Sequence, residues 1–186
     1  MIKKLFGLFS EIQETPSKLE QIKLEEPKDD LESVLQRDLF IAPLEGNLVP
    51  LSDVPDEVFS QKLLGDGFAI EPSSGKIISP ISGTISSLFP TNHAIGITGK
   101  DGREVLIHFG IDTVQLQGHG FKALVEQGSK VSVGQELLYV NIDFVRNKGY
   151  SIITPIIFTN LSEGKSIQVT VNERVQLGQR NIVTIL

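Results

Sequence analysis

The segment HAIGITGKDGREVLIH, residues 93–108, is the most informative part of the sequence for the fold. Its two apolar, β-branched runs, residues 95–98 and 104–107, flank a turn-forming tetrad at residues 99–102. Strand-forming runs on either side of a short glycine-containing loop are typical of a β-hairpin. The stretch therefore predicts two antiparallel strands with a histidine at each outer end.

The register of this hairpin decides whether His93 and His108 meet. If Lys100 and Asp101 form the loop, the two histidines lie directly opposite each other, with Cβ atoms about 4.5–5.5 Å apart. A loop shifted by one residue makes them diagonal neighbours on the same face. Only an odd number of loop residues would place them on opposite faces, because side chains alternate with a period of two. We expect an even loop and therefore a histidine pair.

The face predicted to carry the pair also carries Ile95, Ile97 and Leu106, which places the histidines in or beside an apolar patch. An imidazole with an ordinary pKa of about 6.5 is largely neutral at cellular pH, and burial lowers its pKa further. A neutral ring nitrogen can act as a nucleophile or an acid/base group, and it can also bind a metal. The third alternative is a polar inclusion capped by backbone groups. The hairpin alone leaves all three open.

Short strand-forming runs, broken by glycine, proline, asparagine and aspartate, continue on both sides of the hairpin. They predict an all-β fold, an antiparallel β-sandwich or barrel. One or two short helices are expected, at Leu51–Leu64 and Phe144–Gly149. The further predicted strands are residues 46–50, 76–80, 83–86, 136–140 and 182–185.

Weak internal similarities favour two related halves. Residues 43–46, PLEG, are similar to residues 80–83, PISG, and residues 130–135, KVSVGQ, are similar to residues 174–179, RVQLGQ. The similarities are too irregular for a solenoid. They fit a barrel that consists of two related halves.

Composition excludes several classes of function. The chain has 186 residues, 17 Lys+Arg, 23 Asp+Glu and no cysteine, so thiol nucleophiles, disulfides and thiolate zinc sites are ruled out. A net charge of −6 without a long basic run argues against a nucleic acid as the main ligand. No apolar run approaches the roughly 20 residues that span a bilayer. A zinc hydrolase is disfavoured because no third ligand stands at the usual spacing. We expect a cytoplasmic protein.

A change of composition near residues 37–43 divides the chain. Residues 13–38 are rich in charged and polar side chains and predict a flexible, acidic leader. Residues 1–12 carry apolar side chains at helical spacing beside Lys3 and Lys4, which predicts a weak contact with an anionic membrane surface, a frayed end being the alternative. Residues 39–186 are the predicted folded domain.

The residues around the histidines resemble the glucose-type enzyme IIA proteins of the bacterial phosphoenolpyruvate-dependent sugar phosphotransferase system. The resemblance runs from about Ile41 to the end of the chain, and the fifteen-residue interval from His93 to His108 agrees with it. The matching motifs are PLEG at 43–46, DVPDEVF at 53–59, GDG at 65–67, TNHA at 91–94 and, most specifically, HFGIDTV at 108–114.

The resemblance implies a phosphoryl carrier that needs no cofactor. His108 would accept the phosphoryl group on a ring nitrogen from the phosphohistidine of the small carrier protein HPr. It would pass the group to a cysteine of a sugar-specific IIB domain on another chain. His93 would serve as a hydrogen-bond donor, Thr91 would orient the pair through its hydroxyl, and the Gly110 carbonyl would fix the tautomer of His93.

The resemblance further implies an apolar docking surface that keeps water from the phosphohistidine. Members of the family also bind zinc through the histidine pair and a carboxylate of a regulated partner. A regulatory adaptor of enzymes or permeases, which uses His93 and His108 without phosphoryl turnover, is therefore the alternative function. The predicted docking residues are Val58, Phe59, Leu63, Phe89, Leu106, Asp112 and Val114.

Three residues depart from the family pattern, namely Gly96, Leu106 and His119, and they leave the identity of the sugar open. His119 stands between two glycines and is expected to be a solvent-facing loop residue. Residues 128–137 also look like the strand–turn–strand of a biotinyl or lipoyl carrier, but the lysine that such carriers modify, with its flanking methionine, is missing. That stretch is interpreted as shared barrel architecture.

Overall fold

The computed structural model describes residues 40–169 and 173–186. The predicted membrane-surface segment, residues 1–12, and the predicted leader, residues 13–38, lie outside the described residues. The strands are β1 Gly46–Val49, β2 Asp66–Pro72, β3 Lys76–Ile78, β4 Gly83–Leu88, β5 Ala94–Gly99, β6 Glu104–His108, β7 Phe121–Ala123, β8 Lys130–Val131, β9 Glu136–Val140, β10 Thr154–Phe158, β11 Ile167–Val169, β12 Arg174–Val175 and β13 Val183–Ile185. The helices are α1 Glu57–Ser60 and α2 Ile142–Asn147, with 3-10 turns at Leu51–Asp53 and Thr113–Leu116.

The strands form an antiparallel β-sandwich, as predicted. An eight-stranded sheet has the order β12-β1-β2-β10-β6-β5-β4-β8, and β3, β9 and β7 form a three-stranded sheet. Side chains from both sheets meet in one large core, which includes Ile77 of β3, Leu138 of β9 and Ile107 of β6. A small third sheet pairs β11 with β13.

A second, smaller core lies on the other face of the central strands. Ile156 and Phe68 pack in the large core, whereas their chain neighbours Ile157 and Ala69 pack in the second one. Because both faces are covered, β10 is buried along its whole length. Its sequence, TPIIF, shows no regular alternation of polar and apolar residues and contains Pro155, which argues against a strand, so the sequence pattern misses β10. The second core carries the segment 51–60 and thereby positions the candidate site.

The eight-stranded sheet consists of two equivalent halves, which confirms the predicted repeat. The order β12-β1-β2-β10 is mirrored by β8-β4-β5-β6, and β10 pairs with β6 where the halves join. The edge pairings agree position for position. They are Gly46 with Val175 and Asn47 with Arg174 in the first half, and Gly83 with Val131 and Thr84 with Lys130 in the second.

The predicted helix Leu51–Leu64 is wrong as a continuous element. Only the 3-10 turn Leu51–Asp53 and the four-residue α1 are helical within it. Pro55 lies between them, and a proline inside a helix removes a backbone donor and excludes the preceding residue from helical conformation. The second predicted helix is confirmed near its expected place, but it begins earlier, where the Asn141 side chain accepts a hydrogen bond from the Phe144 N–H.

Candidate active site: a histidine pair beside the β5–β6 hairpin

The β5–β6 hairpin has a three-residue loop, so the predicted register is wrong by one residue. The Gly99 N–H donates to the Arg103 carbonyl at 2.7 Å, which leaves residues 100–102 as the loop. Gly102 adopts a φ of +85°, a left-handed conformation that closes three-residue hairpins. His108 therefore lies opposite Ala94 rather than opposite His93.

The odd loop also changes which side chains share a face. Ile95 and Ile97 belong to the large core, whereas Leu106 packs against the second core on the opposite face. The prediction that these three residues share a face is wrong. His108 follows Leu106 by two residues and therefore lies on the same side of the sheet as Leu106.

The two histidines nevertheless meet, because His93 lies outside the regular strand. It precedes β5, and Asn92 before it adopts a left-handed φ of +55°. The His93 carbonyl still accepts a hydrogen bond from the Phe109 N–H at 2.7 Å. The imidazole centroids of His93 and His108 are 4.9 Å apart with an interplanar angle of 84°. The pair predicted from the hairpin exists, but a turn before the strand creates it.

Each imidazole has its Nδ1 atom fixed by a residue two positions away. The Thr91 Oγ1 lies 2.6 Å from Nδ1 of His93, and the Gly110 carbonyl lies 2.9 Å from Nδ1 of His108. The predicted role of Gly110 in orienting His93 is therefore wrong, since its carbonyl contacts His108. Gly110 has a φ of +70°, at the turn that follows β6.

The Gly110 carbonyl determines the tautomer of His108, whereas the Thr91 hydroxyl beside His93 can either donate or accept. A carbonyl can only accept, so Nδ1 of His108 carries the hydrogen and donates to Gly110, and the neutral ring keeps its lone pair on Nε2. The Thr91 hydroxyl can donate to Nδ1 of His93. In that arrangement Nε2 of His93 carries the hydrogen. The pair then offers one nucleophilic nitrogen and one N–H donor.

Burial keeps both rings neutral. Burial, and to a smaller extent the neighbouring His108, lowers the pKa of His93 to about 4. Burial is also the largest cause that lowers the pKa of His108, while the Gly110 carbonyl, Asp56 and Asp112 act in the opposite direction. Neither ring is therefore predominantly charged at neutral pH.

Phenylalanine rings form the walls of the site. The Phe59 ring centroid is 5.1 Å from that of His108, and the Phe89 centroid is 5.3 Å from that of His93. Phe59 is only 5% exposed and belongs to the second core, and Leu106 is half-buried against the same core. For Phe59 the predicted place on the docking surface is wrong, whereas for the half-buried Leu106 it stays a prediction. The exposed members of the predicted surface are Val58, Leu63, Phe89, Asp112 and Val114.

Asp56 is a site residue that the sequence analysis misses. Its carboxylate caps α1 by accepting from the Val58 N–H at 2.8 Å, and its charge raises the pKa of His108. An aspartate directly before a short apolar run is a helix-start pattern that could have found it. His119, by contrast, is exposed as expected, with its Nδ1 2.9 Å from the Leu116 carbonyl.

Within residues 40–169 and 173–186, no group of three or more His, Cys, Asp and Glu side chains could hold a metal ion. Zinc binding by His93 and His108 with a partner's carboxylate therefore stays a prediction. In the same part of the chain, no helix is long and apolar enough to cross a membrane.

Comparisons with known proteins agree with the site. Residues 38–164 match the family described as phosphoenolpyruvate-dependent sugar phosphotransferase system, EIIA 1. The PTS system glucose-specific EIIA component of Staphylococcus aureus (strain Mu50) is 43% identical over 152 residues, which cover 81% of this chain and 92% of that protein. The component of the same name from Staphylococcus epidermidis (strain RP62A) is 42% identical over 144 residues, or 77% and 87% of the two chains.

A solved structure, the glucose permease IIA from Mycoplasma capricolum, matches with a TM-score of 0.71 and 41% sequence identity. The match covers 79% of this chain and 93% of that one. The residues of the family match, 38–164, include both histidines. The chain belongs to the EIIA family of the phosphoenolpyruvate-dependent sugar phosphotransferase system.

Proposed function

We propose that this EIIA component carries its phosphoryl group on Nε2 of His108. The observation that supports this most directly is the hydrogen bond from Nδ1 of His108 to the Gly110 carbonyl, which leaves the lone pair of the neutral ring on Nε2. As a whole residue, His93 is only 6% exposed, whereas His108 is half-buried.

The transfer balances without a change in the number of bound protons. Nε2 of His108 attacks the phosphorus of the phosphohistidine of HPr, a new N–P bond forms, and the electron pair of the breaking bond returns to the HPr imidazole. Nδ1 of His108 keeps its hydrogen throughout and continues to donate it to the Gly110 carbonyl. In the next transfer the cysteine thiolate of a IIB domain attacks the phosphorus, an S–P bond forms, and the electron pair of the breaking N–P bond returns to Nε2 of His108. In-line phosphoryl transfer of this kind depends on positioning and charge stabilisation more than on covalent chemistry.

His93 supplies the stabilisation. With Nδ1 accepting from the Thr91 hydroxyl, its Nε2–H can donate to an equatorial oxygen of the phosphoryl group. The ring centroid distance of 4.9 Å brings that donor close to the reacting nitrogen. The low pKa of His93 supports this role, since a neutral ring in a fixed tautomer presents one donor without a competing charge.

The exposed apolar residues around the pair form the docking surface for HPr and for the IIB domain. Val58, Leu63, Phe89 and Val114 are exposed, Leu63 to 66%. Two partners must use the surface in turn, and its closure against either one excludes water from the phosphohistidine. We further propose a cytoplasmic location, where HPr is phosphorylated. The names of the relatives support a glucose-specific IIB domain as the acceptor.

Intact-mass measurement after incubation with phosphoenolpyruvate, enzyme I and HPr tests the proposal. The wild-type protein should gain one acid-labile phosphoryl group and His108→Gln none. The matched control is His119→Gln, an exposed histidine in the same chain, which should be phosphorylated like the wild type. His93→Gln should still accept phosphate from HPr but donate poorly to IIB.

Phosphorylation of His108→Gln would refute the assigned nucleophile. A wild-type protein that stays unmodified in the presence of charged HPr would favour the adaptor function. Zinc titration with and without a carboxylate-bearing partner would then be the next measurement.

A further inference from the structure

A cavity lies at the far end of β5, away from the histidine pair. It has a volume of about 490 Å³ and is lined by residues of β4, β5, β8 and the adjoining loops. Six residues of extended chain separate His93 from Gly99 in its wall, which corresponds to about 20 Å at roughly 3.3 Å per residue. The cavity is therefore separate from the phosphoryl-transfer site.

The charged groups that line the cavity are all positive. Lys100 and Lys130 belong to its wall, and the wall contains no Asp or Glu. Among the described residues the ion pairs are Lys62–Asp66, Lys76–Glu136 and Arg103–Asp101, so neither cavity lysine has an acidic partner there. In a chain with a net charge of −6, two unpaired lysines in one concave site favour an anionic ligand.

The remaining wall offers hydroxyl groups and bare backbone. Thr84, Thr98 and Ser132 line the cavity together with Gly83 and Gly99. The two glycines lie directly opposite each other in the β4–β5 pair. A Cβ atom on Gly83 would lie 2.2 Å from the Thr98 carbonyl oxygen, and one on Gly99 would lie 2.6 Å from an Asp101 carboxylate oxygen. A side chain is thus excluded at Gly83 by the backbone, whereas at Gly99 the Asp101 side chain would have to move.

The other half of the molecule provides an internal comparison. In the first half, Gly46 faces Pro72 where Gly83 faces Gly99 in the second half. One step along, a glutamate, Glu71, occupies the place equivalent to Thr98. In the first half, the equivalent region therefore carries the side chains of a proline and a glutamate. The second half has a threonine at that place, and the Asp101 carboxylate near Gly99 is paired with Arg103.

We propose that this cavity binds a phosphate monoester of a small polyhydroxylated molecule. A phosphate monoester carries a charge of about −1.5 to −2 at pH 7 and three acceptor oxygens, which suit two lysine ammonium groups. The volume exceeds what inorganic phosphate alone would fill, and the threonine and serine hydroxyls suit the hydroxyls of the remaining ligand. The site does not depend on the proposed role of His108.

The test is an NMR titration of the full-length protein with glucose 6-phosphate, inorganic phosphate, glucose and sodium chloride at matched ionic strength. We expect glucose 6-phosphate to shift the backbone amides of Gly83, Thr84, Lys100 and Ser132 in a saturable way. Inorganic phosphate should bind at least threefold more weakly, and glucose and chloride should produce no saturable shift.

Two variants test the chemistry of the wall. Lys130→Gln should weaken binding about tenfold, and Arg174→Gln, its counterpart in the other half, should have no effect. Thr98→Glu, which copies Glu71, should abolish binding by placing a negative charge in the cavity. Both Lys130→Gln and Thr98→Glu should still be phosphorylated by HPr, which shows that they are folded and keeps this test independent of the transfer site.

The proposed site would be overturned if Lys130→Gln and Arg174→Gln weakened glucose 6-phosphate binding equally. It would also be overturned if sodium chloride produced the same amide shifts as glucose 6-phosphate. Equal affinity for inorganic phosphate and glucose 6-phosphate would overturn its assignment to a monoester.

Discussion

Thr91 is the residue whose hydroxyl decides how His93 presents its second nitrogen. Its Oγ1 lies 2.6 Å from Nδ1 of His93. Thr91→Val keeps the shape and removes the donor, so Nε2 of His93 is no longer held as an N–H. We expect phosphoryl transfer to IIB to slow roughly tenfold to a hundredfold. Rapid-quench kinetics with the IIB domain measure it. Thr184→Val, an exposed threonine of β13, is the control, and equal rates for the two variants would contradict the role of Thr91.

His93 also makes stability depend on pH. Its pKa is lowered from the ordinary value of 6.5 to about 4 in the folded protein, so the unfolded chain binds more protons between these values. The stabilisation from the neutral ring is fully present above pH 6.5 and is lost as the pH falls toward 4. We expect the free energy of unfolding to fall by up to about 2 kcal/mol from this group between pH 7.5 and pH 5. Urea unfolding of the wild type and of His93→Gln measures it, and an unchanged pH dependence in the variant would refute the shift.

At the scale of elements, α1 connects the stability of the fold to the electrostatics of the site. Asp56 caps this helix by accepting from the Val58 and Phe59 N–H groups, and its charge raises the pKa of His108. Asp56→Ala should cost about 1 kcal/mol of stability, whereas Asp56→Asn keeps the cap and should cost little. Both variants should lower the pKa of His108 further, as measured by imidazole NMR titration. Equal destabilisation by the two variants would show that the stability lost in Asp56→Ala does not come from the helix cap.

The turn after β6 positions the carbonyl that holds His108. A Cβ atom on Gly110 would lie 2.5 Å from the Ser151 carbonyl oxygen, and φ is +70°. Gly102 in the hairpin loop has a similar φ of +85° but nothing within 4 Å of its Cβ position. We expect Gly102→Ala to cost roughly 1–2 kcal/mol from backbone strain alone, and Gly110→Ala to cost more because the neighbouring backbone must move. Urea unfolding of both variants decides it, and equal losses would contradict the steric argument.

At the scale of the whole molecule, the two related halves differ in what they carry. The histidine pair stands at one end of the β5–β6 hairpin and the lysine-lined cavity at the other, and both belong to the second half of the repeat. The first half supplies Phe59 and Asp56, which lie against His108 from the segment between β1 and β2. The transfer site therefore requires both halves, whereas the cavity requires one.

The leader is predicted to act on delivery rather than on chemistry. Deleting residues 1–36 should leave phosphorylation by HPr unchanged, because every residue assigned to the site lies after residue 50. Transfer to a membrane-embedded IIB domain should become slower if residues 1–12 contact an anionic surface. Transfer assays with vesicles measure both steps. Equal transfer rates with and without the leader would count against the membrane contact.

The fold class, the internal repeat and the importance of His93 and His108 could all be predicted from the amino-acid sequence. Alternating and β-branched runs define strands locally, and the motifs around His93 and His108 are specific enough to indicate a family and its chemistry. These properties depend on neighbours along the chain. The paired positions of β1 with β12 and of β4 with β8 were visible as two similar stretches of sequence for the same reason.

The register of the β5–β6 hairpin and the hydrogen-bond partners of the two imidazoles could not be predicted in this way. A left-handed Gly102 makes the loop odd, and a left-handed Asn92 before β5 brings His93 back to His108. The packing of β6, the turn after it and the segment 51–60 determines which imidazole donates a hydrogen bond to the Gly110 carbonyl. It also determines that Phe59 is buried in the second core and not exposed on the docking surface. Residues far apart in sequence settle these contacts, so no local pattern along the chain contains them.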